Sequence, residues 1–342
     1  MRGVIVAAGE GKRMRPITYW RPKPLVPVGG QPLITHIIEG FVRAGVREIR
    51  IVVGHLRDKM TEALGDGSAW GAELSYVVQP EPKGTGSAVL LARDFIGDEP
   101  FLLSWGDILV PQGHYERVLR AFEGQADGVL SVNWVDDPWE GAAVYVEEGT
   151  VAEIIEKPER GASTTQYNNA GVLVLPPRVL ELTAELPPSP RGEIELPQAV
   201  AQLIAEGGRL RSVEVEGYWS DVARPSNVIA MNGVVIQSRE EGGIAIHETA
   251  ELAEDVRVEP PVLVGPGVRV DAAGAVGPNV ALLADCRLGP GTVAEDCVLG
   301  SGVTVGADSR LCWVYAESMA KVPAGSVLPG LPDSPVVLPP SG

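Results

Sequence analysis

Cysteine is scarce in this chain: 342 residues contain three, Cys286, Cys297 and Cys312, all in the last fifth. An odd number placed so late does not build a disulfide framework. No uninterrupted apolar run approaches the roughly 18 residues of a membrane-spanning helix. The opening segment, Met1 to Gly9, is too short an apolar stretch for a signal peptide and reads as a first strand. These absences give the expectation of a cytoplasmic protein. Positive charge is also in short supply, with 28 basic residues against 45 acidic and a net charge of −17. Such a chain is not a general binder of nucleic acid or of anionic membranes. The four histidines, His36, His55, His114 and His247, are scattered and form no metal-spaced pair.

Against that background one local reversal stands out. From Gly11 to Ile38 there is no acidic residue, yet Lys12, Arg13, Arg15, Arg21 and Lys23 are crowded together there. Concentrated cation in an anionic chain suggests a bound anion, a polyphosphate for instance; a solvated basic loop is the plainer alternative. Length and a 45% hydrophobic content suit about two domains.

Through the first 230 or so positions, strand-like and helix-like segments alternate. Strands are expected at Gly3–Ala7, Glu48–Val53, Leu74–Val78, Phe101–Leu103, Gly128–Val132 and Gly171–Leu175. Helices are expected at Pro32–Ala44, Gly86–Phe95, His114–Phe122 and Gln198–Ala205. This alternation implies an α/β domain with a Rossmann-like, mostly parallel sheet and ligands at the carboxyl ends of its strands. The pattern changes at Ser238–Gly243, a polar segment ending in glycine. Beyond it Val258, Val264, Val270, Val276, Leu282 and Leu288 recur every six residues, and after a one-residue slip Val293, Leu299, Val305 and Leu311 continue the spacing. A six-residue aliphatic repeat describes one side of a triangular β-solenoid with a continuous inward core. The expected organisation is a catalytic domain over 1–237, a hinge at 238–243, a solenoid over 244–328 and a proline-rich segment over 329–342. That last segment is read as an extended tail or a cover for the solenoid's end.

Two glycines follow the first strand in Ala7-Ala8-Gly9-Glu10-Gly11-Lys12-Arg13-Met14. The segment is no Walker loop, because Arg13 stands where serine or threonine would, and no dinucleotide fingerprint, because Met14 occupies the third glycine position. Together with Arg21-Pro22-Lys23-Pro24-Leu25-Val26-Pro27-Val28 it resembles the nucleotide-binding signature of the sugar-1-phosphate nucleotidyltransferases, the NDP-sugar pyrophosphorylases. The resemblance runs from Gly3 to about Gly330 and is closest to uridylyl- and thymidylyltransferases acting on glucose-1-phosphate or N-acetylglucosamine-1-phosphate. It implies that Ala8, Gly9, Gly11, Arg13 and Lys23 hold the triphosphate, with Arg13 and Lys23 stabilising charge on the α-phosphorus and the departing pyrophosphate. It also implies that the solenoid is a left-handed, hexapeptide-repeat β-helix.

Further blocks fit the same frame. Gln79, in Gln79-Pro80-Glu81-Pro82-Lys83-Gly84-Thr85-Gly86, carries a donor and an acceptor that suit a uracil or thymine edge. The resemblance gives Gln79 and Gly84 that role, with Thr85 nearby, and so implies UTP or dTTP. Asp107 closes the strand-like Phe101-Leu102-Leu103-Ser104-Trp105-Gly106-Asp107, a position suited to holding Mg²⁺. Its implied partner is Asp221, in Tyr218-Trp219-Ser220-Asp221-Val222-Ala223-Arg224-Pro225, where Ala223 replaces the family's commoner glycine. Gly141, Glu156, Lys157 and Asn169 are implied to bind the sugar phosphate, while Arg191–Leu196 is read mainly as the start of a helix. The implied partners are a nucleoside triphosphate and a sugar-1-phosphate, with self-association through the solenoid, a trimer being one such assembly. Two alternatives remain: a bifunctional enzyme that also acetylates an amino sugar, and a non-catalytic regulatory paralogue.

Overall fold

The computed structural model describes residues 1–123 and 126–341. They form two compact units, one of residues 1–10 with 34–219, the other of residues 11–33 with 220–342.

In the first unit nine strands make one sheet: β1 (Arg2–Ala7), β2 (Glu48–Val53), β3 (Glu73–Val78), β4 (Phe101–Trp105), β5 (Gly128–Trp134), β6 (Ala142–Glu147), β7 (Thr150–Glu156), β8 (Tyr167–Leu175) and β9 (Leu210–Glu214). Their order is β3-β2-β1-β4-β8-β5-β9-β7-β6. The sheet is mixed, where a mostly parallel one was expected. The run β3-β2-β1-β4 is parallel, as is the pair β5–β9, but β8 runs antiparallel to both β4 and β5, and β7 to both β9 and β6. Strand direction is not legible in a chain buried on both faces, and β8 is buried from Asn168 to Leu175.

Helices α1 (Leu33–Arg43), α2 (Arg57–Leu64), α3 (Thr85–Leu90), α4 (Arg93–Ile96), α5 (His114–Phe122), α6 (Arg178–Glu185) and α7 (Leu196–Ala205) join these strands. Apolar residues of α3, α4, α6 and α7, among them Val89, Ile96, Leu180 and Val200, share one core with Val4, Leu103, Leu130 and Leu173 of the sheet. In α1, Leu33, Ile34, Ile37, Ile38 and Phe41 recur at the helical period and are fully buried. Phe41 meets Tyr115 of α5 edge-on at 5.2 Å.

The second unit holds α8 (Pro225–Arg239) and a parallel β-solenoid. Ile244 pairs with Val262, Val262 with Val280, Glu251 with Arg269 and Arg257 with Ala275, each partner one 18-residue coil further on. Three six-residue segments per coil is what the repeat predicted. The inward positions Val264, Val270, Val276, Leu282, Leu288, Leu299, Val305 and Leu311 are buried in one continuous core. The slip lies one segment later than the sequence suggested. Ala294, not Val293, points inward, pairing with Val276 and Leu311, and Leu299 then sits only five positions on, so the next coils have 17 residues. Val293 is the better aliphatic, but Ala294 keeps the period of six from Leu288. Residues 238–243 begin in the last turn of α8 and end in a single tight turn, Glu241–Gly243. In the proline-rich segment Val336–Leu338 pairs with Val314–Ala316, so this part covers the last coil; Gly342 lies outside the described residues.

Candidate active site

In the first unit the Gln79 loop is built on close backbone approach. Gly84 has φ +97°, and a Cβ there would stand 2.4 Å from the carbonyl oxygen of Ile194, so only glycine fits. Two backbone bonds clip the loops together, Gly86 N–H to Ile194 O and Ile194 N–H to Lys83 O, both 2.8 Å. The Gln79 side chain is buried, and its Nε2 donates to Gly84 O at 3.1 Å and Ser87 Oγ at 2.8 Å. A carbonyl can only accept, so this contact fixes the amide orientation and leaves Oε1 as an acceptor. The Thr85 hydroxyl accepts from Leu196 N–H at 3.0 Å and so caps α7.

A second cluster forms where β7 ends. Glu156, its side chain 11% exposed, has Lys157 Nζ at 3.6 Å and Arg191 Nη2 at 3.7 Å. Arg191 also holds Glu195 at 2.6 Å. Burial, then the negative field of Glu195, pushes the Glu156 carboxyl up to about 7, against the opposing pull of Lys157 and Arg191. Burial acts upward on Glu195 too, but the Arg191 hydrogen bond leads the contacts that hold its carboxyl below the ordinary range. Lys157 adopts φ +44°, and its N–H donates to Gly141 O at 2.7 Å, which ties Gly141 to this cluster.

Asn169 lies next to a bulge in β8. Its Oδ1 accepts from Gly171 N–H at 2.9 Å, which leaves Nδ2 as a donor. Asn168, which the sequence reading passed over, is the more connected amide: it accepts from Ala142 N–H at 3.1 Å and donates to Asn133 Oδ1 at 3.0 Å and Asn169 O at 2.9 Å. Asp107 follows buried β4 and is itself half-buried. Ala8 is buried and Gly9 exposed just beyond β1.

In the second unit Gly11, at φ +62°, opens the basic segment. Thr18 Oγ1 donates to Gly11 O at 3.0 Å, and the Lys23 stem passes beside Gly11, with Cβ 3.5 Å from where a side chain would start. Arg13 is exposed in the turn Lys12–Met14, which Met14 anchors in the core. Arg21, one of the five cations read as an anion site, instead pairs with Glu317 through Nε and Nη2. Asp221 precedes α8, whose first turn is capped by Asn227 Oδ1 accepting from Arg224 N–H at 2.8 Å and Ala223 N–H at 3.2 Å. Ala223 is not in the left-handed region, so the backbone angle there does not call for glycine.

Residues 2–237 match the nucleotidyl transferase family. The chain belongs to that family. Similar curated proteins include the low-salt glycan biosynthesis nucleotidyltransferase Agl11 of Haloferax volcanii, 34% identical over 70% of this chain and 67% of that one. The glucose-1-phosphate thymidylyltransferase of Streptomyces griseus is 33% identical over 87% of this chain and 84% of its own. The bifunctional protein GlmU of Methanococcus maripaludis is 32% identical over 78% of this chain, which spans only 62% of that protein. Among solved structures, a Bacillus anthracis protein assigned as a glucose-1-phosphate thymidylyltransferase, in complex with sucrose, superposes with a TM-score of 0.63 at 28% identity, over 68% of this chain and 94% of that one.

Two residues of this nucleotidyltransferase escaped the sequence reading of its site. Arg191 and Glu195 lie just before α7, yet Arg191 reaches both Glu156 and Glu195, and the charge of Glu195 acts on Glu156. The available signal was charge: Arg191-Gly192-Glu193-Ile194-Glu195 alternates charged with uncharged residues, as one charged face of an extended segment would.

Proposed function

We propose that the protein transfers a nucleoside monophosphate from UTP or dTTP to glucose-1-phosphate or N-acetylglucosamine-1-phosphate, giving an NDP-sugar and pyrophosphate. The observation that carries this reading is the cluster of Glu156 and Glu195 with Lys157 and Arg191. Buried carboxylates suit the hydroxyls of a sugar ring, and two cations beside them suit its phosphate. Asn169 Nδ2 adds a donor to ring oxygens. Gln79 Oε1 accepts from the ring N–H of uracil or thymine; cytosine offers an unprotonated nitrogen there and is disfavoured.

An oxygen of the sugar phosphate attacks the α-phosphorus in line, and the bond to pyrophosphate breaks. Arg13 and Lys23 neutralise the charge that builds on the leaving group. No protein nucleophile is required, because the attacking phosphate is already ionised at neutral pH. Two hard carboxylates, Asp107 and Asp221, fit Mg²⁺, which takes few protein ligands and fills its shell from substrate and water. When bound, the ion would supply charge screening and a template for the two phosphates. A cytoplasmic setting follows from the substrates. We read the solenoid as left-handed and as the self-association surface.

The test is kinetic. Replacing Lys157 by methionine keeps the stem and removes the charge. The KM for sugar phosphate is expected to rise by on the order of tenfold or more, the size of a lost charged hydrogen bond, with the KM for nucleotide within twofold. Equal effects on both substrates would contradict the assignment.

A further inference from the structure

We propose that the solenoid is a working part of the nucleotide site: Glu317, on its last coil, clamps Arg21 and so positions Lys23. The inference rests on the reading of Lys23 as a triphosphate ligand. Arg21 and Glu317 stand 296 positions apart in sequence. Arg21 Nε donates to both carboxylate oxygens, at 3.1 and 3.0 Å, while Nη2 reaches Oε1 and, at 3.3 Å, Ser318 Oγ. Glu317 is in turn fixed from its own side. Tyr315 OH donates to Oε2 at 3.3 Å and Ser318 N–H to Oε1 at 3.0 Å. The Glu317 side chain is 5% exposed, and Tyr315 is fully buried.

The remaining arm of the guanidinium points back into its own segment. Arg21 Nη1 donates to Leu25 O at 3.4 Å, so one planar group spans the tight turn Lys23–Leu25 and joins it to the solenoid. Lys23 is the first residue of that turn, and its stem runs beside Gly11. A neighbouring tie acts on the same segment: Asn232 of α8 accepts from Gly29 N–H and donates to Pro27 O, both at 2.8 Å.

A buried ion pair is a poor device for stability alone, since well-packed apolar side chains of similar volume often stabilise as much or more. What the planar, bidentate fork does supply is direction. Lysine at position 21 could not hold both a carboxylate and the Leu25 carbonyl in one plane. Glu317 is therefore a positioning residue, acting on Lys23 through Arg21.

The experiment compares full-length wild type with Glu317→Gln and with the double variant Arg21→Met, Glu317→Leu, which refills the site with apolar bulk. Pyrophosphate release, the dissociation constant of the Mg–nucleotide complex and the thermal midpoint are read for each. Misplacing Lys23 is expected to lower kcat/KM for nucleotide on the order of 10–100-fold, with the KM for sugar phosphate within twofold. The double variant is expected to recover the thermal midpoint lost in Glu317→Gln and not the kinetics. A double variant that recovers both would overturn the clamp, as would a Glu317→Gln protein whose loss equals its unfolded fraction. A wild type silent with every sugar phosphate, whose nucleotide affinity nonetheless falls tenfold in Glu317→Gln, would instead remove the functional reading and retain the clamp.

Discussion

At the scale of single residues, Glu156 shows how placement sets chemistry. Its carboxyl is pushed up to about 7 from 4.5, first by burial and then by Glu195. In the unfolded chain the same group ionises near its ordinary value, so from about pH 4.5 to 7 the folded state holds the extra proton. Stability from this residue is therefore present at low pH and declines as pH rises through that window, by up to about 3 kcal/mol for a shift of this size. Glu156→Gln cannot ionise and escapes the penalty. Chemical denaturation should find the variant more stable than wild type at pH 8 and nearly equal to it at pH 4.5, while its KM for sugar phosphate is higher. A difference independent of pH would contradict the account. Arg21 carries the opposite lesson. Its charge was legible in the sequence as part of a basic run, but its pairing with Glu317 was not, because nothing local marks a contact made across almost the whole chain.

Among the elements, the Gln79 loop depends on Gly84. Its φ of +97° and the closeness of Ile194 O leave no room for a side chain. Gly84→Ala should destabilise the protein by about 1–3 kcal/mol and raise the KM for nucleotide more than that for sugar phosphate; unchanged melting and kinetics would show that the loop tolerates the methyl. The same scale explains which elements could be read in advance. The strand Glu48–Val53 and the helix His114–Phe122 were legible to the residue, since each carries a clean apolar pattern bounded by turn residues. α8 was not, because Val228, Ile229, Met231, Asn232, Gly233, Val235 and Ile236 are all buried and leave no polar face to reveal a period. α2 failed for the reverse reason, burying only Met60 and Leu64. The solenoid was legible as a period of six, and only its slip was misplaced, where a small Ala294 does the work of a larger aliphatic.

For the molecule as a whole, the division into units cuts across the order of the sequence. The basic segment from Gly11 to Leu33 is grouped with the solenoid, and the Gln79 and Glu156 clusters with the nine-stranded sheet. The Gln79 loop and the Glu156–Lys157 pair could be singled out from sequence because each sits within a short stretch of chain. Arg191 joining Glu156 could not, since that contact depends on how β7 and the segment before α7 are brought together. The central claim is nucleotidyl transfer to a sugar-1-phosphate, and one measurement tests it directly. Purified protein with Mg²⁺ would be given UTP, dTTP, CTP, GTP or ATP, each paired with glucose-, N-acetylglucosamine-, galactose- or mannose-1-phosphate, and the NDP-sugar and pyrophosphate formed would be counted. The account predicts turnover with UTP or dTTP and with glucose-1-phosphate or its N-acetylamino analogue, and little with CTP. No NDP-sugar from any pair would contradict it.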